Sequence, residues 1–194
     1  MLLYAAAVMA IFANSSEPWS TVSTENGLTM SVQPVKGSSH ENVRVTLTTT
    51  APPTVFMDAL WGSLDDRTQN PEVVKREVFE DGVSSRRYWD MVRAPPASDR
   101  DYVMQASRLL DEATGAYRHD FETVSDPRKP VKSNVVRMTV RGRCTVTPRT
   151  SGGSDVVYEI FTDIGGSIPA FLARGPARKS ALQMLRDVKK RAEK

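Results

Sequence analysis

From Val73 to Thr162 the sequence runs through six β-patterned segments in succession, separated by turn formers and never interrupted by a helical repeat. Val73 to Phe79 and Val83 to Val92 flank Asp81-Gly82, a dipeptide suited to a tight hairpin. Tyr102 to Leu110 and Ala116 to Val124 follow, joined by a bend between Glu112 and Gly115. Val135 to Thr147 and Asp155 to Thr162 close the run around Ser151-Gly152-Gly153. Upstream, Leu28 to Val35 and Val43 to Leu47 alternate in the same way, with a turn at Asn26-Gly27 before them. Glu17-Pro18-Trp19-Ser20 reads as the start of a short helix, proline sitting in its first turn. Ala51-Pro52-Pro53-Thr54 opens a second helix whose Val55, Phe56, Ala59 and Leu60 recur at helical spacing. Past Gly165-Gly166-Ser167, a closing helix carries Ile168, Phe171, Leu172, Leu182, Leu185 and Val188 on one stripe. Strands in one run with helices at the ends make an α+β protein. A sheet of about seven strands curls, and the closing helix is the only long element available to cover its hollow side.

At 194 residues with 40% hydrophobic content, the chain can bury a core without covalent staples. A single cysteine, Cys144, and two histidines, His40 and His119, exclude a disulfide framework and a Cys/His zinc site. No phosphate loop, nucleophile elbow or paired acidic metal cluster is present, so neither a cofactor nor a metal is expected. The net charge of +3 is too small to imply nucleic acid, but its placement is uneven. Between Phe171 and Lys194 eight basic residues stand against two acidic ones, a basic end able to touch phosphates. Met1 to Ala13 is apolar throughout and followed by polar Asn14-Ser15-Ser16-Glu17. It is shorter than the roughly 20 residues a membrane span needs and matches the apolar region of a signal peptide. Residues 1–16 are therefore expected to direct export, to the periplasm or outside the cell, and 17–194 to form the domain. The alternative is a cytoplasmic protein with a docked or lipid-contacting first helix.

Alternation sorts the strand residues into faces. Ser85, Arg87, Trp89 and Met91 share one face of their strand, and Arg86, Tyr88, Asp90 and Val92 the other. Tyr102, Met104 and Ala106 group together, as do Tyr117, His119 and Phe121, and then Val136, Met138 and Val140. The apolar faces are assigned inward, against the closing helix. Trp89, Met91 and Met104 would then make a polarizable wall suited to an irregular guest. Arg100-Asp101 reads as a salt bridge fixing the start of its strand.

Three stretches resemble the START domain, the lipid-transfer family related to the steroidogenic acute regulatory protein. They are Trp19 with Gly27-Leu28, then 95–103 (PPASDRDYV), then 163–172 (DIGGSIPAFL). The similarity runs in order from Pro18 to the C-terminus. Tryptophans that the family carries near Asn70 and near Cys144 are absent, and Ala106 stands where some members place a cavity arginine. The resemblance implies a helix-grip fold, a curved antiparallel sheet wrapped around a long C-terminal helix. It also implies a hydrophobic ligand held between the two, in a monomer that carries no catalytic activity. On that reading Arg87, Trp89, Met91, Tyr102 and Met104 line the cavity from the earlier strands. Tyr117, His119, Phe121 and Met138 line it from the later ones, and Phe171 and Leu172 from the helix.

Basic Arg178, Lys179, Lys189, Lys190 and Arg191 would hold the rim against anionic headgroups. A second reading is an enzyme of the same superfamily, of the polyketide-cyclase kind, with His119, Tyr117 and Arg87 as acid or base. Nucleic-acid binding through Arg137, Arg141 and Arg143 is disfavoured, because no aromatic residues interleave them for base stacking.

Overall fold

The computed structural model describes residues 17–64, 72–95, 97–166 and 170–194, the side chains of 170–173 excepted. The N-terminal segment 1–16, read above as a targeting sequence, lies outside the described residues. In chain order the elements are β1 (Ser20–Glu25), β2 (Leu28–Pro34), β3 (Glu41–Thr49), α1 (Pro53–Ser63), β4 (Val73–Asp81) and β5 (Ser85–Val92). They continue with β6 (Arg100–Asp111), β7 (Ala116–Thr123), β8 (Val136–Arg137), β9 (Thr139–Pro148), β10 (Ser154–Asp163) and α2 (Ala170–Ala192). The strands form one sheet in the order β1-β2-β3-β10-β9-β7-β6-β5-β4. Every ladder on this path is antiparallel, and β8 pairs with β6 in parallel.

Two expectations are corrected here. The helix expected at Glu17–Ser20 is absent; the chain enters β1 at Ser20 and pairs with β2. Asn26 and Gly27 both take positive φ, 52° and 76°, the two-residue turn whose twist matches a hairpin. Such a turn requires a strand on each side, and Thr21-Val22-Ser23-Thr24 supplies the β-branched residues for one. The single strand expected over Val135 to Thr147 is broken. Val136 and Arg137 pair with Arg100 and Asp101, and β9 starts only at Thr139. Alternation continues through the break, so the periodicity does not register it.

The helices lie on one face of the sheet. α1 begins at Pro53, where a missing N–H costs nothing, and buries Phe56, Met57, Leu60 and Trp61. Val55, expected on its apolar stripe, is turned outward. α2 buries Ala181, Leu182, Leu185, Val188 and Ala192 against the inner faces of β2, β3, β9 and β10. Each large aliphatic buried this way contributes about 1.5–3 kcal/mol. The earlier part of its expected stripe, Ile168 and the side chains of Phe171 and Leu172, lies outside the described residues.

Polar contacts fix the helix lengthwise. Arg178 donates to both oxygens of Glu41, at the start of β3, at 2.6 and 2.8 Å. Glu193 accepts from Thr49, at the end of β3, at 2.9 Å, and Arg186 pairs with Glu25 at 2.8 Å. α2 therefore runs along the full length of β3.

Candidate ligand-binding face

Cross-strand register decides which side chains share the inner face. Tyr88 stands opposite Met104 and Asp90 opposite Tyr102; Arg76 stands opposite Asp90, and Ala106 opposite Phe121. On this face the buried apolar residues fall into two groups. One is the core gripped by α1 and α2. The other is Tyr88, Tyr102, Met104 and Val140, with half-buried Val92, Phe121, Met138 and Ile160 around them. No described side chain of either helix belongs to the second group. Tyr102, Met104, Phe121 and Met138, grouped from sequence, are brought together here.

Inside this apolar patch lies a charged pair. Asp90 is completely buried. It accepts from Arg76 Nε at 2.7 Å and Nη2 at 2.6 Å, and from the Tyr102 hydroxyl at 2.7 Å. The Arg76 guanidinium lies 4.5 Å from the centre of the Tyr88 ring, and its Nη1 donates to the Leu64 carbonyl at the end of α1. Burial opposes the charge on Arg76, but its hydrogen bonds and attraction to Asp90 outweigh that and hold its pKa above the ordinary value. Burial, reinforced by the nearby Asp90 charge, raises Tyr102 well above the usual phenol range, so its hydroxyl stays protonated. Arg76, Tyr88 and Asp90 escaped the sequence reading, which placed the charged face of β5 outward. Ala106 removes the arginine some START proteins carry at that register, and Arg76 brings a guanidinium from β4 to the same face.

Arg87, Trp89 and Met91 are on the opposite face of the sheet. Trp89 stands opposite Val103, one residue out of phase with Met104, so the expected wall of Trp89, Met91 and Met104 does not form. Arg87 pairs with Glu80 at 3.2 Å and donates to Gln105 at 2.7 Å. The Trp89 indole donates to Asp101 at 2.9 Å, and Lys129 lies 4.1 Å from its ring centre. A tryptophan signals the interior only when nothing folds over the other side; here the 124–135 loop does. The Arg100–Asp101 salt bridge is not formed either, because neighbours on a strand diverge. Asp101 pairs with Arg137 at 2.7 Å. Arg100 is buried and donates to the carbonyls of Ser98 and Ile164, tying β6 to the segment that leads into α2.

Tyr117, His119 and Phe121 do face inward, as read; Tyr117 packs on the core, and His119 and Phe121 form part of an aromatic row. His119 meets Trp61 edge-on at 5.6 Å and stacks on Phe121 at 5.2 Å, and Phe121 stacks on Tyr158 at 5.8 Å. Gly142, beside Phe121, leaves the room that ring occupies; a Cβ there would collide with it and with the Glu159 carbonyl. Burial lowers the His119 pKa to about 4, so the ring is neutral at pH 7 and Nδ1–H donates to the Ser107 carbonyl at 2.9 Å. Arg87, on the other face, is not brought together with His119 and Tyr117, so the acid–base set considered from sequence is not assembled. Cys144 is fully buried, and burial pushes its thiol up to about 12, which leaves it unreactive.

The His119 geometry predicts an acid-sensitive fold. Unfolded histidine takes a proton near pH 6.5, whereas the folded ring resists until about pH 4. Stability is thus fully present above pH 6.5 and lost as pH falls toward 4, by about 3 kcal/mol. Urea unfolding between pH 7 and 4 should show this slope, and His119→Phe should flatten it.

Strand ends place the basic residues of α2. Val92, Arg100, Thr123, Thr139 and Asp163 all lie at the end of the sheet where α2 begins. Arg178 and Lys179 are in the half of α2 nearer this end. Lys189, Lys190 and Arg191 are not, contrary to expectation. Lys189 donates to the Thr48 carbonyl at the far end of β3, with Lys190 and Arg191 beyond it. Arg178 is already neutralised by Glu41.

No family model matches the chain. In sequence it is similar to the phosphatidylcholine transfer protein of Mus musculus, 30% identical over 141 residues that make up 70% of this chain and 63% of the relative. The Bos taurus protein of the same name is 29% identical over the same share. The chain thus spans about 63% of the length of these curated relatives. In structure it is similar to a STAR-related lipid transfer protein from Xanthomonas axonopodis, with TM-score 0.76 and 25% identity, covering 91% of this chain and 99% of that one. Human StAR-related lipid transfer protein 5 gives TM-score 0.78 at 16% identity, covering 98% and 93%. A Streptomyces aromatase/cyclase is more distant, with TM-score 0.54 and 14% identity over 79% of this chain and 94% of that one, a likeness of fold alone.

Proposed function

Because this chain is a homologue of START-related lipid-transfer proteins and is built on their helix-grip fold, we propose that it binds a lipid or similar hydrophobic molecule against its inner sheet face and carries it between membranes. The observation that carries this reading is the second apolar group, Tyr88, Tyr102, Met104 and Val140, with buried Asp90 held inside it by Tyr102 and half-buried Arg76. An apolar guest there leaves water at about 25 cal/mol per Å² of buried apolar surface. The Tyr102 hydroxyl and the rim of the ion pair supply hydrogen bonds for its polar end, which would otherwise be desolvated at a cost. The guest lies between this face and the first half of α2, where Gly175 and Pro176 interrupt the helical ladder. Movement of that half, with residues 97–99 and the 163–166 segment linked through Arg100, admits and releases it. Nothing in this mechanism requires a bond to be made or broken.

Native mass spectrometry of gently purified protein, followed by solvent extraction, tests the reading. The expected result is a bound lipid at one per chain. A protein that carries none, and takes up none from a mixed lipid extract, overturns it.

A further inference from the structure

The loop between β7 and β9 has a rigid base and a bare tip. At its base Arg128 is held by Asp126 in a two-bond pair at 2.8 and 2.5 Å, and lies 4.1 Å from the Phe79 ring centre. Lys129 pairs with Glu77 at 2.6 Å and covers the Trp89 ring. Arg137 donates to the Lys129 carbonyl at 2.9 Å while holding Asp101, which itself holds the Trp89 indole. This closed circuit on the outer face fixes where the next residues point. Pro130, Val131 and Lys132 stand in water, Val131 with 67% of its surface exposed. Among the described residues nothing packs over that exposed aliphatic side chain, yet the loop that presents it is anchored at several points.

The loop lies at the end of the sheet where α2 begins, because Val136 donates to the Asp99 carbonyl at 3.0 Å and β8 pairs with the start of β6. Charge at this end is positive. The carboxylates of Glu41 and Asp126 are paired with Arg178 and Arg128, while Asp163 contacts the His40 ring. Among the described residues that leaves Glu17, Glu72, Asp99 and Asp163 against Lys36, Arg93, Lys132, Arg174 and Lys179, none of these five cations having a carboxylate partner. Arg174 uses one N–H on the Ser39 carbonyl and keeps its charge.

We infer that the Pro130-Val131-Lys132 tip is the part of the molecule that lands on an anionic membrane. Val131 enters the interface and Lys132, Arg93 and Lys36 face the lipid phosphates. A pre-ordered apolar tip at an end with a small excess of positive charge suits such a surface, where attraction by several basic residues adds to a small apolar insertion. The contact brings the beginning of α2 and the Arg100-tied segment to the bilayer, where a guest could pass. The inference rests on the carrier reading for its purpose but not for its test.

Flotation with vesicles of phosphatidylcholine alone, and of phosphatidylcholine mixed with phosphatidylserine, reads the contact. Loading with a fluorescent lipid delivered from cyclodextrin, without vesicles, reads the carrier function separately. Wild-type protein should float with the mixed vesicles and lose this as salt is raised. Lys132→Glu should weaken flotation by about fivefold or more, one basic residue's share at such a surface, and Val131→Asp by a similar factor. Both should load lipid from cyclodextrin as the wild type does. Lys190→Glu, at the other end of the domain, should float normally. Flotation that survives both loop substitutions, or that falls with Lys190→Glu instead, overturns the inference. So does a protein that loads from cyclodextrin yet ignores anionic vesicles. Absence of loading from any source counts against the carrier reading alone, because flotation scores the surface independently.

Discussion

Replacing Arg76 with Met should cost the fold about 3–5 kcal/mol, the penalty for leaving one member of a buried ion pair behind. Asp90 has no exposure to water, and Arg76 supplies two of the three hydrogen bonds it accepts. With the guanidinium gone, the remaining Tyr102 hydroxyl cannot offset a buried negative charge, so the carboxyl is driven toward its neutral form. That sets the sign of a pH effect. In the variant the folded state holds a proton on Asp90 more tightly than the unfolded chain does, so its deficit relative to wild type should shrink as pH is lowered toward 5. Urea unfolding at pH 7 and pH 5 measures both quantities. Tyr102→Phe, which removes one hydrogen bond to the carboxylate but leaves Arg76 in place, should cost less, about 1.5–3 kcal/mol. Arg76→Met combined with Asp90→Leu should recover most of the lost stability, since an apolar pair of similar volume often replaces a buried ion pair at no net cost. If Arg76→Met stays within about 1 kcal/mol of wild type at pH 7, the pair is not closed off from water as the geometry requires. The recovered double variant has a second use. It folds without the polar cluster, so any change in which lipids it takes up reports on recognition rather than on stability.

The same pair shows where sequence pattern stops being informative. The strands from Val73 to Thr162, the two longer helices and the C-terminal stripe of Leu182, Leu185 and Val188 were legible because hydrophobic period and turn chemistry agree there. Besides the break between β8 and β9, β5 was the exception. Its two faces are Arg87, Trp89, Met91 and Arg86, Tyr88, Asp90, and by hydropathy the first looks interior. What reverses the choice is nonlocal. Arg76 sits on the neighbouring strand to neutralise Asp90, Asp81 lies 2.7 Å from Arg86, and the 124–135 loop shelters Trp89 from outside. Asp81 meets Arg86 across the short hairpin, but Arg76 reaches Asp90 only once β4 and β5 are in register, and the loop comes from far along the chain. β1 failed for a different reason. Pro18 signalled a helix start, but the Asn26-Gly27 turn, which was seen, already demanded a strand before it. The inward direction of Tyr117, His119 and Phe121 held because β7 pairs in unbroken register on both sides.

Substituting arginine for Met104 should abolish lipid loading, by tenfold or more, whereas arginine for Trp89 should leave loading intact. Both residues are nearly buried and both were grouped together from sequence, so the pair isolates the face of the sheet as the variable. Met104 lies in the second apolar group, opposite Tyr88 on one side and Thr123 on the other. A guanidinium there projects into the space the guest would fill, and Asp90, already committed to Arg76, has no charge left to share with it. An apolar chain would have to share that volume with an unpaired cation, at several kcal/mol. On the outer face, Trp89→Arg would give up the stacking of Lys129 and the indole bond to Asp101, contacts that hold the 124–135 loop rather than any guest. Fluorescent-lipid uptake from cyclodextrin, run beside thermal unfolding, separates lost loading from lost structure. Met104→Leu supplies the control, since it keeps volume and polarity close to wild type and should load normally. A Trp89→Arg protein that no longer loads beside a Met104→Arg protein that does would move the guest to the other side of the sheet. A Met104→Arg protein that cannot fold while Met104→Leu can would mean the face is packed solid, with no room for one.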